Sequence, residues 1–307
     1  MTMPASIVET LAAIFGDQVK RNVPLAPYTS ARIGGPADVL VTVNSADDLA
    51  AIVTMLWEAG SPYLLLGGGS NVLVSDRGVR GITLLNRAKE VRFESGESPS
   101  VWSESGTVFT NLANRCAAKG LSGLEWAATV PGTVGGAVYG NAGAFGGDMA
   151  HSLIQAEILT PRGRELWSAS DLAYGYRTSI LKRGGVQGTV LAAKLGLSNA
   201  TKEGVAVKIG EFSERRKATQ PPGASMGSMF KNPEGDSAGR LIEAAGLKGT
   251  RIGSAEVSPL HGNFFVNHGQ SKASDIRALI ELVQTTVRNR TGVELELEIE
   301  IVGDWSV

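Results

Sequence analysis

Three short stretches hold the side chains that could do chemistry in this chain of 307 residues. The loop GSMFKNP brings Ser228, Lys231 and Asn232 within a few positions of one another. A turn, Tyr176-Arg177-Thr178-Ser179, follows Tyr174-Gly175, and near the C-terminus Glu294, Glu296, Glu298 and Glu300 alternate with apolar residues. Taken singly, each has an ordinary structural explanation: Ser228 as a turn residue, Arg177 in a surface ion pair, the glutamates as a solvated strand face.

Other chemistries are excluded more firmly. His151, His261 and His268 have no HExxH or other ligand spacing, so no metal site is expected. No GxSxG elbow is present, and Ser228 has no base beside it in sequence. Phe109, Leu112, Ala113 and Cys116 recur at helical spacing, which makes the single cysteine a core residue rather than a nucleophile. Glycine offers a different opportunity. Gly120 to Gly147 carries nine glycines with Pro131 and Asn141 among them, a density that suits close backbone approach to a ligand better than regular helix or strand. Amides without side chains in front of them bind anions, so a phosphate-bearing cofactor leads over a tight inter-domain turn. Gly67-Gly68-Gly69-Ser70-Asn71 is a second such loop, readable alone as a ligand loop or as a hairpin turn.

The elements that must position these residues belong to a folded globular chain with 43% hydrophobic and 19% charged residues. Its length favours about two domains. A formal charge of -1 leaves no basic excess for nucleic acid. The N-terminal segment lacks a positive region and contains Glu9, and no apolar run is long enough to span a membrane, so neither export nor insertion is expected.

Helical periodicity runs over 6–15, and a strand is expected near Val39 to Val43. A capping box at Ser45 to Asp48 opens a helix with Leu49, Ile52, Val53 and Leu56 on one face; Gly60 stops it and Tyr63 to Leu66 returns as a strand, making a βαβ unit. The triple glycine that follows sits between two strands, unlike a Rossmann or Walker loop. Ile154 to Leu159 and Glu165 to Trp167 form an expected hairpin, and Val190 to Leu197 a further strand. Polar, unpatterned residues at 198–201 suggest a boundary: residues 1–200, in two subdomains of about 20–90 and 91–200, then residues 201–307. In the last third, helices are expected ending near Lys217, over Leu241 to Ala245 and over Ile276 to Val287, with a two-faced strand from Val293 to Ile301.

These stretches together resemble the UDP-N-acetylenolpyruvoylglucosamine reductase family. The likeness rests on TSARIGGPAD, GGGSNVLV, GLSGLEWAATVPGTVGGAVYGNAGAFG, YRTSILK, GSMFKNP, LIEAAGLKG, HGNFFVN and ELEIEIVG, in order along most of the chain. It implies an α+β protein: a vanillyl-alcohol-oxidase-type (PCMH) FAD-binding fold joined to a C-terminal α+β substrate domain. Gly67, Gly68, Gly69, Ser70 and Asn71, with Pro131, Gly132, Thr133, Gly135, Gly136 and Asn141, would cradle non-covalent FAD. The implied reaction uses NADPH as co-substrate and reduces an enolpyruvyl UDP-sugar in peptidoglycan precursor synthesis, in the cytoplasm and by a monomer.

The same resemblance implies that Ser228 donates the proton, Arg177 holds the substrate carboxylate, and Glu298, chosen by its register five residues before Gly303, stabilises the developing enolate. Tyr176, Lys231, Asn232 and Glu256 are the implied UDP-sugar contacts. Some features depart from the family. The short segment between Arg177 and Ser228 lacks the insertion that places a tyrosine over the diphosphate, Thr129 stands where glycine is usual, and Ala31 where an aromatic is common. A flavin oxidase acting on a hydroxy acid, and a non-catalytic binder of flavin or nucleotide sugar, are the competing readings; the C-terminal motifs oppose the first and the joint presence of Arg177, Ser228 and Glu298 the second.

Overall fold

A computed structural model describes residues 5–306; the first four residues of the segment read for export signals lie outside them. The chain forms two compact units that alternate along the sequence. One takes the residues up to Lys20, Leu40–Gly68 and Thr83–Arg215; the other takes Arg21–Val39, Gly69–Ile82 and the residues from Arg216 onward.

In the first unit, five antiparallel strands lie in the order Gly163–Trp167, Leu153–Thr160, Thr189–Gly196, Ser100–Glu104, Val91–Glu94. The first two in that order, joined through Pro161-Arg162, are the expected hairpin, with Thr160 paired to Gly163. Helix Phe109–Ala118 buries Phe109, Leu112, Ala113 and Cys116, as the spacing predicts. Phe109 meets Trp126 edge to face at 5.3 Å in the same core. Helix Ala46–Glu58 starts where Ser45 accepts the Asp48 N–H at 3.1 Å, and it buries Leu49, Ile52, Val53 and Leu56. A helix over Lys202–Thr219 buries only Val205, which is why its sequence shows no apolar face.

A further sheet has the order Val19–Pro24, Pro36–Val43, Val79–Asn86, Tyr63–Leu66, and the limits of the units fall inside its middle strands. The expected strands at 39–43 and 63–66 are therefore present, with Val79–Asn86 between them.

In the second unit, antiparallel strands follow the order Ala224–Ser228, Phe264–Asn267, Ala255–Val257, Arg251–Ile252. Helices Ala238–Ala244 and Ala273–Thr291 pack with them around Phe230, Phe265, Leu279 and Ile280, and Ala31, Ile33 and Leu73 complete that core. Gly292, left-handed at φ 75°, closes the long helix. Its first turn is held from far away in sequence, because the Asp76 carboxylate accepts from Ala273 and Ser274 N–H.

Two expectations need correction. The alternating segment 293–301 is not one strand: only Glu300–Val302 is, parallel to Val72–Val74. Upstream of it Leu297 makes an isolated bridge to Phe230, and the alternation records burial of Leu295 and Ile299 without a ladder. Nor is the triple glycine a hairpin turn, since Tyr63–Leu66 and Val72–Val74 pair in different sheets.

Candidate active site

The glycine stretch is more regular than its composition suggests. Val134–Gly140 is a short helix with Thr133 as N-cap, whose hydroxyl accepts the Gly136 N–H. Glycine is needed there for contact. A Cβ on Gly135 would lie 2.8 Å from Ser105 Cβ, while the Gly135 N–H donates to Ser105 O at 2.8 Å. A Cβ on Gly68 would come 2.8 Å from Gly132 Cα, and one on Gly67 2.4 Å from Thr133 Oγ1. Thus Gly68 lies backbone against backbone with Gly132, Gly67 lies against the Thr133 side chain, and the Arg87 guanidinium donates to Gly67 O at 2.9 Å.

The rest of that first loop belongs to the second unit. Gly69, at φ 59°, accepts the Ser30 N–H on its carbonyl at 3.0 Å. Asn71 reaches the C-terminal segment instead: its Nδ2 donates to Glu298 O at 3.0 Å and its carbonyl accepts the Glu300 N–H at 2.9 Å.

In the first unit, Asn141 ends the short helix in the left-handed region at φ 46°, a conformation asparagine tolerates. Its buried amide is a strut: Nδ2 donates to Gly175 O at 3.0 Å and Oδ1 accepts the Ala150 N–H at 3.0 Å. Gly175 and Thr178 exchange backbone hydrogen bonds around Tyr176 and Arg177, and Ser179 Oγ donates to Tyr139 O at 2.6 Å. Arg177 is thereby held at φ 56°, a strained value for a non-glycine residue. A Cβ on Gly143 would stand 3.3 Å from Arg177 Nη1, so the glycine leaves room for the guanidinium. The Tyr176 ring lies 5.5 Å from that guanidinium and is exposed.

Ser228 ends a strand whose pairing with Phe264–Asn267 slips between Ser225 and Ser228, with Gly227 at φ 77°. Such a bulge re-aims the residue that follows it. Directly beyond, the Glu298 N–H donates to Met229 O at 2.9 Å and the Lys231 N–H to Glu296 O at 2.8 Å. Ser228 and Glu298 are therefore carried on adjoining segments of one unit. The Lys231 ammonium pairs with the Glu296 carboxylate, and Asn232 Oδ1 accepts the Ala238 N–H at 3.1 Å. Glu256 stands apart on strand Ala255–Val257, where Arg251, at 3.0 Å, and then His268 hold its carboxyl below the usual range.

Two contributors were not singled out by sequence reasoning. Arg87 supports Gly67 from 20 positions away, and Asn263 holds Phe230 from 33 positions away. HGNFFVN was visible as a motif, but nothing local marks its first asparagine, Asn263, as a clamp. Cys116 takes no part: burial pushes its thiol up to about 12. Among the described residues no cluster of histidine, cysteine or carboxylate side chains could hold a metal ion, and no helix is long and apolar enough to cross a membrane.

Paired glycine loops packed this closely fit a cofactor bound through main-chain amides. Residues 37–169 match the model of an FAD binding domain. At 19% identity and a TM-score of 0.50, a solved alkyldihydroxyacetonephosphate synthase shares the fold over 64% of this chain and 44% of its own. The class is thus an FAD-dependent oxidoreductase with a vanillyl-alcohol-oxidase-type fold.

Residues 218–302 match the C-terminal domain of UDP-N-acetylenolpyruvoylglucosamine reductase. Enzymes of that name from Chloroflexus aggregans and Bacillus subtilis are 45% and 42% identical, covering 92% and 93% of this chain and 97% and 94% of their own. The crystal structure of the Thermus caldophilus reductase superposes with a TM-score of 0.79 at 38% identity, over 92% of this chain and 98% of that one. The chain belongs to the UDP-N-acetylenolpyruvoylglucosamine reductase family.

Proposed function

We propose that the protein reduces the enolpyruvyl group of UDP-N-acetylglucosamine enolpyruvate to give UDP-N-acetylmuramate, with NADPH as reductant, in peptidoglycan precursor synthesis. The observation that carries this reading is the direct hydrogen bond from Glu298 N–H to Met229 O, which keeps Glu298 beside the segment of Ser228. When bound, FAD would supply the hydride-transfer chemistry between NADPH and the terminal carbon of the enolpyruvyl double bond. Gly67, Gly68, Gly69, Ser70 and Asn71, and Pro131, Gly132, Thr133, Gly135 and Gly136, would hold it.

Hydride addition leaves an electron pair on the neighbouring carbon, conjugated with the substrate carboxylate. Ser228 Oγ–H gives that carbon its proton. Arg177 binds the carboxylate with its planar fork and stabilises the charge that builds there. Glu298, in its protonated form, donates a hydrogen bond to the same developing charge. Tyr176, Lys231, Asn232 and Glu256 bind the UDP-sugar. The functional division we assign is residues 1–200 for flavin and 201–307 for substrate, acting as a monomer in the cytoplasm.

Separating the half-reactions tests this. In Ser228→Ala, flavin reduction by NADPH should proceed at the unsubstituted rate, while reoxidation by the enolpyruvyl substrate under anaerobic conditions should slow by about 10²-fold or more. Equal slowing of both halves would refute the acid role. If only oxygen reoxidises the flavin of the unsubstituted protein, the reductase reading fails.

A further inference from the structure

We propose that Asn263 is the positioning residue for Ser228, setting the path of the chain immediately after it. The idea rests on Ser228 having the role assigned above. Past the bulge at Gly227 the strand stops, yet Met229 and Phe230 are fully buried, and the isolated bridge to Leu297 takes up only the Met229 carbonyl, so their other backbone groups need partners.

Asn263 supplies them. Its main-chain carbonyl accepts the Met229 N–H at 2.8 Å, its Oδ1 accepts the Phe230 N–H at 2.9 Å, and its Nδ2 donates to Phe230 O at 2.8 Å. A side-chain amide carries the donor and acceptor of a peptide unit, so this one residue acts as a strand partner where the strand has ended. The remaining Met229 group, its carbonyl, accepts the Glu298 N–H at 2.9 Å. One clamp therefore fixes Ser228 relative to the main chain of Glu298.

The clamp is itself braced. Asn263 N–H donates to His261 Nδ1 at 3.2 Å, and Ser258 Oγ accepts the N–H groups of Leu260 and His261. With Asn263 2% exposed, water has no access to replace a lost partner. Aspartate at this position would keep the shape but set an acceptor against Phe230 O, and alanine would leave both Phe230 groups unpaired.

The test compares Asn263→Asp and Asn263→Ser with Ser228→Ala, each as holoenzyme with rates expressed per bound flavin. The NADPH half-reaction should stay within about twofold of the unsubstituted protein, and reoxidation by the enolpyruvyl substrate should slow about tenfold or more. A purely structural asparagine would lower flavin content and leave both rates per flavin unchanged, and that result overturns the proposal. If Ser228→Ala also leaves reoxidation unchanged, the assigned acid role falls instead. Hydrogen exchange on the unsubstituted protein gives a second reading independent of variant folding: the Met229 and Phe230 amides should exchange about 10²-fold or more slower than free peptide, and unprotected amides would refute the clamp.

Discussion

Single side chains in this protein mostly serve the backbone of others. Asn141, Asn263, Asn71 and Asp76 each hold main-chain groups of segments distant in sequence. Glu125 does the same locally. It is 4% exposed, accepts from Ser122 Oγ at 2.6 Å and Gly123 N–H at 2.8 Å, and has Lys208 Nζ at 3.7 Å. Burial alone would raise its pKa, but the hydrogen bonds and then Lys208 outweigh it, and the net shift is downward. A depressed carboxyl favours the fold above its ordinary pKa of 4.5, and that contribution disappears as pH falls through the lower folded value. Unsubstituted protein should exceed Glu125→Gln by on the order of 2 kcal/mol at neutral pH. The gap in melting temperature should close as the medium is acidified below 4.5; an offset that stays constant with pH would contradict the ionised network. Arg177, Ser228 and Glu298 could be nominated from the sequence because their motifs are contiguous. Asn263 could not, because its partner Phe230 is visible only after folding.

At the scale of elements, periodicity succeeded where one face is buried. The helices Ala46–Glu58 and Phe109–Ala118 bury the residues that their spacing nominates. The same logic misled at 293–301, because alternation reports which side chains face a core and is silent about whether the backbone has a ladder partner. Glycine was ambiguous in the same way. Gly68 and Gly210 look alike in sequence, yet a Cβ would collide with backbone at the first and meet nothing within 4 Å at the second. Gly68→Ala should therefore push the two loops apart and lower the flavin content of purified protein. Gly210→Ala, inside helix Lys202–Thr219 and exposed, should raise stability to denaturant by about 0.5–1 kcal/mol with flavin content unchanged. Equal flavin content in both variants would remove the cradle role of Gly68.

For the whole molecule, composition excluded broad classes and the motifs together indicated the family, but the interleaving of the units left no mark in the sequence. It depends on pairings between residues far apart, such as Val72 with Glu300. The second unit takes Ala31, Ile33 and Leu73 into its core and the Asp76 carboxylate onto its longest helix. Residues 201–307 produced alone would lack all four. That fragment should show no cooperative thermal transition, whereas a sigmoidal melt would mean that those contacts are dispensable.

The parallel pair of Val72–Val74 with Glu300–Val302 bears on how the chain is made. Ser75 Oγ also donates to Asp304 O, 229 positions later. During synthesis, which proceeds at roughly 5–20 residues per second, the segment after the triple glycine emerges long before its strand partner. The second unit can be completed only once that partner has been made, and closing so long a loop slows the step. Until then Val72–Val74 is an apolar edge without its neighbour, open to pairing with another chain.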